Sequence, residues 1–308
     1  MADLRVAIAD VGYASPLVLA AFGFVVVGLG VKLALFPLHA WKPDAYASAP
    51  TDVAALLATL GSTVAGYALV RLTFGVFTAD FLAAVPLAST GLLAVGVVGI
   101  VTGGYLTLRQ SGLRRMLSYS SILQFGLVVV GISVATPAAV TGAVLLLVAN
   151  AVAKGGLFAA AGLLERTTGT ASIAALAGRG YDLPVTSLSV AVAFASLVGL
   201  PPTLGFAGKW FVTLATVDVR AWVAATVVLA STLVSLAYAG RVVERLYLAS
   251  DGHSRSSASV TTDGGTRVER AEVRTVAFVA LAGLSTLLLG LGSTELATWL
   301  SPVVEGWL

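Results

Sequence analysis

Long apolar runs separated by short polar connections make up most of the chain. Eight runs reach the length of about 20 apolar residues that crosses the hydrocarbon core of a bilayer. Backbone groups in lipid must hydrogen-bond within their own segment, so runs of this length predict helices. We therefore expect an all-α, polytopic membrane helix bundle. The predicted spans are Pro16–Phe36, Thr51–Phe74, Val85–Leu108, Leu117–Ala135, Pro137–Leu164, Pro184–Thr216, Val219–Tyr247 and Arg274–Leu300.

Prolines interrupt two of these spans. Pro37 closes the first span, and Pro201 and Pro202 divide the sixth. Proline lacks an N–H, and its ring clashes with the carbonyl four residues before it. Both spans are therefore predicted to be broken helices, and the second break is predicted to free the carbonyls near Leu197 and Val198. Non-helical backbone at membrane depth is tolerated where it is buried in protein or lines a hydrated cavity.

Composition agrees with a membrane protein and excludes several other classes. The chain is 58% hydrophobic and only 11% charged, whereas soluble domains carry about 25% charged residues. We expect one membrane domain over residues 1–308, with an N-terminal segment at 1–15, a helix bundle at 16–300 and a mobile, polar cytoplasmic loop at 250–272. The chain has no cysteine and no phosphate-binding loop, dinucleotide fingerprint, metal-spaced histidine cluster or nucleophile triad. We therefore predict no cofactor, no metal, no nucleic-acid partner and no self-contained catalytic site.

The distribution of basic residues predicts the orientation. Only Arg5, Arg71 and Arg220 lie on the face that carries both termini. Because loops rich in lysine and arginine stay on the cytoplasmic side, we predict a plasma-membrane protein whose two termini are extracytoplasmic. The residues assigned to the cytoplasmic face are Lys42, Arg109, Arg114, Arg115, Arg166, Arg179, Arg241, Arg245, Arg255, Arg267, Arg270 and Arg274.

Three lysines remain inside spans: Lys32, Lys154 and Lys209. A charged side chain at the bilayer centre costs about 2.5 kcal/mol or more, so such residues usually have a function. Burial disfavours the charged form of lysine, and lysine, unlike arginine, can release a proton. This pattern favours proton handling. The alternatives are snorkelling of Lys32 and Lys209 to the interface and a purely structural hydrogen bond from Lys154.

Other polar groups could extend a proton path. Asn150 lies one turn before Lys154 and shares its face, and His39 lies at the first break. Histidine titrates near neutral pH, but it could equally cap free backbone groups there. Hydroxyl and amide groups within membrane helices commonly hold helices together. The candidates for relay or gating are His39, Asn150, Thr63, Tyr119 and Ser120, and further polar groups within spans include Gln124 and Tyr238.

Four segments, in this order along the chain, resemble a known family: KLALFPLHAWKPDAYASAPTDVAALLATLGSTVAGYALVR, LRRMLSYSSILQFG, ANAVAKGGLFAAAGLLE and GLPPTLGFAGKW. They resemble the proton-antiporter membrane domain, which is shared by Mrp-type sodium/proton antiporters, the antiporter-like subunits of complex I and membrane-bound hydrogenases. Within this family, the FPLHAW and GLPP segments look most like the D-type large subunit of Mrp antiporters. The resemblance implies that Lys32 and Lys209 are the lysines of the two broken helices, that Lys154 is the lysine of the helix connecting them, and that protons pass along the middle of the membrane.

The chain departs from the family pattern at several positions. Thr63 stands where the family usually has a second lysine, and Asn150 stands where a histidine usually precedes the connecting lysine. A Trp-Leu-Pro sequence becomes Trp41-Lys42-Pro43. The family's long subunits also begin with further helices, one of which carries a glutamate that pairs with the central lysine. We therefore expect another membrane chain to supply those helices.

Three functions are open at this point. The first is a subunit of a multisubunit antiporter that exchanges Na⁺ for protons. The second is an antiporter-like proton-pumping subunit of a complex I-type quinone oxidoreductase or membrane hydrogenase, in which the chain is part of an enzyme without holding its active site. The third is a structural subunit that conducts nothing. The expected partners are other membrane subunits, the lipid bilayer, protons and Na⁺.

Overall fold

The structure is a computed structural model that describes the backbone of residues 2–248 and 265–308 and the side chains of residues 3–248 and 272–308. The described part is a bundle of helices joined by short connections. The helices are α1 (Ala2–Val11), α2 (Pro16–Leu33), α3 (Trp41–Ser48), α4 (Thr51–Ala84), α5 (Pro86–Leu108), α6 (Leu113–Val134), α7 (Pro137–Thr168), α8 (Arg179–Asp182), α9 (Pro184–Val198), α10 (Leu204–Asp218), α11 (Trp222–Tyr247), α12 (Gly265–Leu291) and α13 (Ser293–Glu305).

The predicted all-α membrane bundle is confirmed. Seven helices of the described part are long and apolar enough to cross a membrane. They correspond to seven of the eight predicted spans, and the sixth predicted span forms the pair α9 and α10. The last span is shorter than predicted because α12 ends at Leu291 and α13 follows it. The loop predicted at 250–272 lies mainly outside the described residues.

Helices α6 and α7 form the centre of the bundle, and most of their residues are buried. Glycines let α5 approach α6 closely. A Cβ atom on Gly126 would lie 2.7 Å from the carbonyl oxygen of Gly96 and 2.8 Å from the amide nitrogen of Ile100. Small residues at a helix interface allow this backbone contact. The polar side chains of α6 are therefore held in a tightly packed, water-poor environment.

The first helix break follows Lys32. Helix α2 ends at Leu33, and Ala34 takes a left-handed conformation with φ of 59°. The amide of Leu35 donates to the carbonyl of Gly30 at 2.9 Å, which closes the helix end. A turn through Pro37 then leads into α3, and α3 packs against α6. The break thus returns the chain to the bundle centre.

The second break separates α9 from α10. Helix α9 ends at Val198, and Gly199 takes φ of 85°, a conformation that glycine adopts without strain. Helix α10 begins at Leu204, and both halves pack along α11. A Cβ atom on Gly205 would overlap the carbonyl oxygen of Ser196, so the two halves approach as closely as backbone allows.

Helix α4 contains two π-helical stretches that the sequence did not predict, Leu57–Gly61 and Thr73–Phe77. Such stretches add a residue to a helical turn and often occur at functional sites. Ser62 directly follows the first stretch and is 2% exposed. The local widening of α4 therefore lies beside a buried hydroxyl that faces the bundle interior.

Candidate functional site

Lys154 lies at the centre of the candidate site. It is 0% exposed, and its Nζ donates to the carbonyl oxygen of Leu117 at 2.6 Å. It also donates to the Oγ of Ser120. Both acceptors belong to α6, so the lysine of α7 contacts a continuous neighbouring helix rather than a broken one. An ammonium group with two oxygen acceptors and no water-exposed surface is held inside the bundle and does not snorkel.

Tyr238 and Gln124 continue the polar contacts from Ser120 toward the second break. The Tyr238 hydroxyl lies beside the side chains of Ser235, Gln124 and Ser120, without forming a hydrogen bond of regular geometry. The Nε2 of Gln124 donates to the carbonyl oxygen of Leu197 at 2.9 Å. A series of buried polar groups therefore leads from Lys154 to the end of α9.

Lys209 occupies the second break. Its Nζ donates to the carbonyl oxygen of Val198 at 2.8 Å, and the residue is only 6% exposed. A Cβ atom on Gly199 would lie 2.9 Å from its Cδ, so the lysine stem passes directly over that glycine. The prediction that the break frees the carbonyls near Leu197 and Val198 is confirmed, because each accepts a hydrogen bond from a side chain.

Lys154 and Lys209 thus share one polar series, which we call the lateral path. It comprises Lys154, Ser120, Tyr238, Gln124, the carbonyls of Leu197 and Val198, and Lys209. The path runs sideways between α7, α6, α11, α9 and α10. Among the described residues, no carboxylate forms an ion pair with either lysine.

Lys32 is placed differently. It lies in the last turn of α2, and its side chain is exposed on the surface of the described chain. The structure gives it no hydrogen bond or ion pair with the rest of the described residues. The first broken helix is present, but Lys32 does not enter the lateral path within this chain.

The assignment of Lys42 to the aqueous cytoplasmic face was wrong. Lys42 is 0% exposed, and its Nζ donates to the Oγ of Ser62 at 2.9 Å. The break after α2 folds α3 back against α6, so this face of α3 lies inside the bundle. Its neighbour Asp44 remains exposed and pairs with Arg115. Sequence reasoning missed Lys42 because its polar neighbours indicated a surface connector.

Two other candidates, Asn150 and His39, have buried polar atoms that lack hydrogen-bond partners among the described residues. Both amide atoms of Asn150 are buried, and neither contacts a hydrogen-bonding partner in the described part of the chain. The Nδ1 of His39 is likewise buried without a partner, and its ring stacks on Phe36 at 5.5 Å. His39 borders a cavity of about 260 Å³ that also contacts Tyr105.

Thr63 and Tyr119 remain outside the lateral path. Thr63 is half-buried, and its hydroxyl oxygen has no partner among the described residues. Tyr119 is half-buried beside Ser120, and only Ser120 contacts Lys154. Gln124 and Tyr238, which sequence reasoning treated only as general polar groups, are the residues that join the two lysines.

Comparison with known proteins identifies the family of this chain. The family model described as "NADH:quinone oxidoreductase/Mrp antiporter, TM" matches residues 3–235. The NADH-quinone oxidoreductase subunit N of Desulforudis audaxviator is 36% identical over 298 residues, which cover 96% of this chain and 59% of that protein. The chain therefore spans about three fifths of the length of this relative.

Solved structures show the same fold. A chain of respiratory complex I from Thermus thermophilus matches with a TM-score of 0.78 and 27% identity, covering 93% of this chain and 57% of that one. A chain of the Mrp complex from Dietzia sp. matches with a TM-score of 0.81 and 22% identity, covering 94% and 59%. On the family match and the subunit N relative, this chain belongs to the proton-antiporter membrane domain family of NADH:quinone oxidoreductases and Mrp antiporters.

Proposed function

We propose that this chain carries protons laterally through the membrane as an antiporter-like subunit of a quinone-reducing complex. The observation that supports this most is the lateral path, which links two buried lysines inside an otherwise apolar bundle. Among the described residues, neither lysine has a carboxylate partner, and both contact only hydroxyl and carbonyl oxygens. Such an environment favours the neutral form of lysine during part of the transport cycle. Each can then accept and release a proton, and the polar groups between them can relay it.

The choice of complex is supported by the relatives rather than by the site. The sequence segments looked most like the D-type large subunit of Mrp antiporters, but the subunit N relative is 36% identical and favours the redox-driven branch. The likeness to the Mrp complex concerns the fold alone. Sodium/proton exchange is therefore the second candidate. Nothing among the described contacts favours a subunit that conducts nothing.

We also propose that the α2 surface bearing Lys32 contacts further membrane helices in the complex. A lysine in a spanning helix is costly when it faces lipid, and Lys32 is exposed in this chain. Phe24, Val27 and Val31 are likewise exposed on the same helix. Helices that carry a carboxylate opposite Lys32 would remove that cost by pairing with the ammonium. The proton path would then extend beyond this chain.

Replacing Lys209 tests the proposed function. In vesicles containing the assembled complex, Lys209→Met is expected to lower proton translocation about tenfold or more, while the protein content of the complex stays the same. Methionine fills a similar volume but cannot carry a proton. The measurement is the rate of proton uptake, normalised to the rate of quinone reduction.

The matched control is Asp218→Asn, at the exposed end of the same helix. It removes a charge outside the path and should translocate protons like the unmodified complex. Normal translocation by the Lys209 variant would overturn the proposal.

Cysteine labelling tests the predicted orientation. The chain has no cysteine, so Asp182→Cys and Asp218→Cys each introduce a single thiol on an exposed residue before α9 and at the end of α10. Because α9 and α10 together cross the membrane, the two thiols should face opposite sides. A membrane-impermeant maleimide is expected to label the first only from the cytoplasmic side and the second only from outside. The reverse pattern would contradict the positive-inside assignment.

A further inference from the structure

Lys42 is a fully buried lysine that the lateral path does not use. Its Nζ has one hydrogen-bond acceptor, the Oγ of Ser62, which also lies 3.3 Å from the hydroxyl of Tyr46. The ammonium lies over two aromatic rings, 4.8 Å from the centroid of Phe125 and 5.2 Å from that of Tyr46. Aromatic faces attract a cation, so the site can hold the charged form. Among the described residues, no carboxylate pairs with Lys42 and fixes its charge permanently.

The ammonium group of Lys42 lies at the depth of the membrane interior, well away from the aqueous end of α6. Arg114 pairs with Glu165 at 2.9 Å and donates to the carbonyl of Ala49 at 3.0 Å, which marks the aqueous end of α6 beside the end of α3. From Arg114 to Phe125, helix α6 rises about 16 Å. That is about half of the hydrocarbon thickness of roughly 30 Å. The ammonium over Phe125 is therefore near the midplane, although Lys42 comes from a short connecting helix.

Lys42 is also close to the start of the lateral path. The Tyr46 ring contacts the ring of Phe158 at 5.6 Å between centroids, and Phe158 lies one turn after Lys154 on α7. Lys42 lies one turn before Tyr46 on the buried face of α3, so this ring contact joins the two helices that carry the lysines. Two neighbouring lysines in a poorly hydrated site are therefore disfavoured in the doubly charged form. Protonation of one promotes release from the other, which is the coupling that a relay requires.

Asn150 is a further buried polar group on the same helix as Lys154. It lies one turn before Lys154, and neither of its polar atoms has a partner among the described residues. Buried polar atoms of this kind are usually satisfied by ordered water. A water molecule bound there can carry a proton toward Lys154.

We propose that Lys42 is a proton-carrying residue of this chain, placed between the Lys32 end and Lys154, with Ser62 orienting its ammonium. This inference rests on the proposed function and extends the lateral path by one lysine. In the transfer step, the Lys42 ammonium loses one proton and becomes an amine, and the Lys154 amine gains that proton and becomes an ammonium. The number of protons and the net charge of the pair stay the same. The resemblance predicts a lysine on α4 at Thr63, which is next to Ser62. Because Lys42 contacts Ser62, α3 places a lysine in the region where α4 lacks one.

The test uses the assembled complex in proteoliposomes, with proton uptake measured per quinone reduced. Lys42→Met is expected to lower this ratio by about tenfold or more. Lys42→Arg is expected to be as inactive as the methionine variant, because arginine keeps the charge and the aromatic contacts but does not release its proton. A merely structural cation at this position predicts instead that arginine restores normal uptake.

Exchanging the side chains of Lys42 and Ser62 keeps the test informative if either single variant of Lys42 assembles poorly. The variant that combines Lys42→Ser with Ser62→Lys places the ammonium in the same region, but attached to α4. Proton uptake by this variant should recover to at least about half of normal. Removal of a relay group, in contrast, is expected to lower uptake about tenfold. Asp44→Asn, on the exposed face of α3, is the matched control and should leave uptake unchanged.

The outcomes separate this inference from the proposed function. If proton uptake is lost in the Lys209→Met and Lys42→Met complexes and Lys42→Arg does not restore it, the result supports both the proposed function and the role of Lys42. Loss in the Lys209 variant with normal uptake in both Lys42 variants overturns only the role of Lys42. Normal uptake in all of them overturns the proposed function itself.

Discussion

Replacing Lys154 by methionine is expected to reduce proton translocation by the assembled complex about a hundredfold. Lys154 is the only described side chain that donates to both the Leu117 carbonyl and Ser120. Its loss removes the proton carrier and leaves a buried carbonyl with one partner fewer. The polar groups that lead to Lys209 remain in place but have no donor at their start. The measurement is the initial rate of vesicle acidification after a pulse of quinone substrate.

The matched control for this variant is Arg166→Gln. Arg166 lies near the end of the same helix, is exposed, and takes no part in the path. Its removal changes the charge of α7 by the same amount without touching a buried group. Acidification by the control should be normal, and equal rates in the two variants would contradict the role of Lys154.

Replacing Gly205 by alanine is expected to have the largest effect on stability. The added Cβ would overlap the carbonyl oxygen of Ser196, so backbone must move to accept it. Overpacking of this kind costs about 1–3 kcal/mol or more. Because α9 and α10 hold Lys209 against Val198, their separation should also weaken that contact. We expect much less of this subunit in the purified complex and a lower midpoint of thermal aggregation.

Gly240→Ala is the control for the glycine prediction. Gly240 lies within α11, and a Cβ atom there meets nothing within 4 Å. The same chemical change should therefore leave subunit content and the aggregation midpoint unchanged. If Gly205→Ala behaved in the same way, the close approach of α9 and α10 would be refuted.

Much of the fold could be predicted because each spanning helix is set by local composition. Apolar length determines a span, and proline and glycine determine where it breaks. The breaks near Pro37 and Pro201 and the burial of Lys154 and Lys209 followed from these local rules. The carbonyls that accept bonds at the second break were also predictable, because a break always frees the groups of the preceding turn.

Lys42 was not predictable in the same way. Local sequence places it between Trp41, Pro43 and Asp44, a composition typical of an aqueous connector. Its burial results from α3 packing on α6, which is distant in sequence. One local signal was present: Tyr46 follows at the helical spacing of four residues, and it shares the buried face of α3 with Lys42.

The residues that link the two lysines of the lateral path were also beyond sequence reasoning. Gln124 and Tyr238 lie on different helices, and only the crossing of α6, α11 and α9 brings them together. The π-helical stretch before Ser62 likewise depends on packing, since nothing in Leu57–Gly61 marks it locally. Polar residues in membrane helices are frequent, so their types alone could not separate relay groups from packing contacts.

Lys154 and Lys209 are proposed to act in series along one path, and the proton-translocation rate of the double variant tests this most directly. If the two lysines carry the same protons, combining Lys154→Met with Lys209→Met should give a rate no lower than the slower of the two single variants, because effects within one unit are not additive. Two parallel routes predict instead that each single variant loses only the share of transport carried by its own route, and that the double variant loses the sum of the two shares. A double variant much slower than either single variant, or single variants that translocate protons at the normal rate, would contradict transport in series.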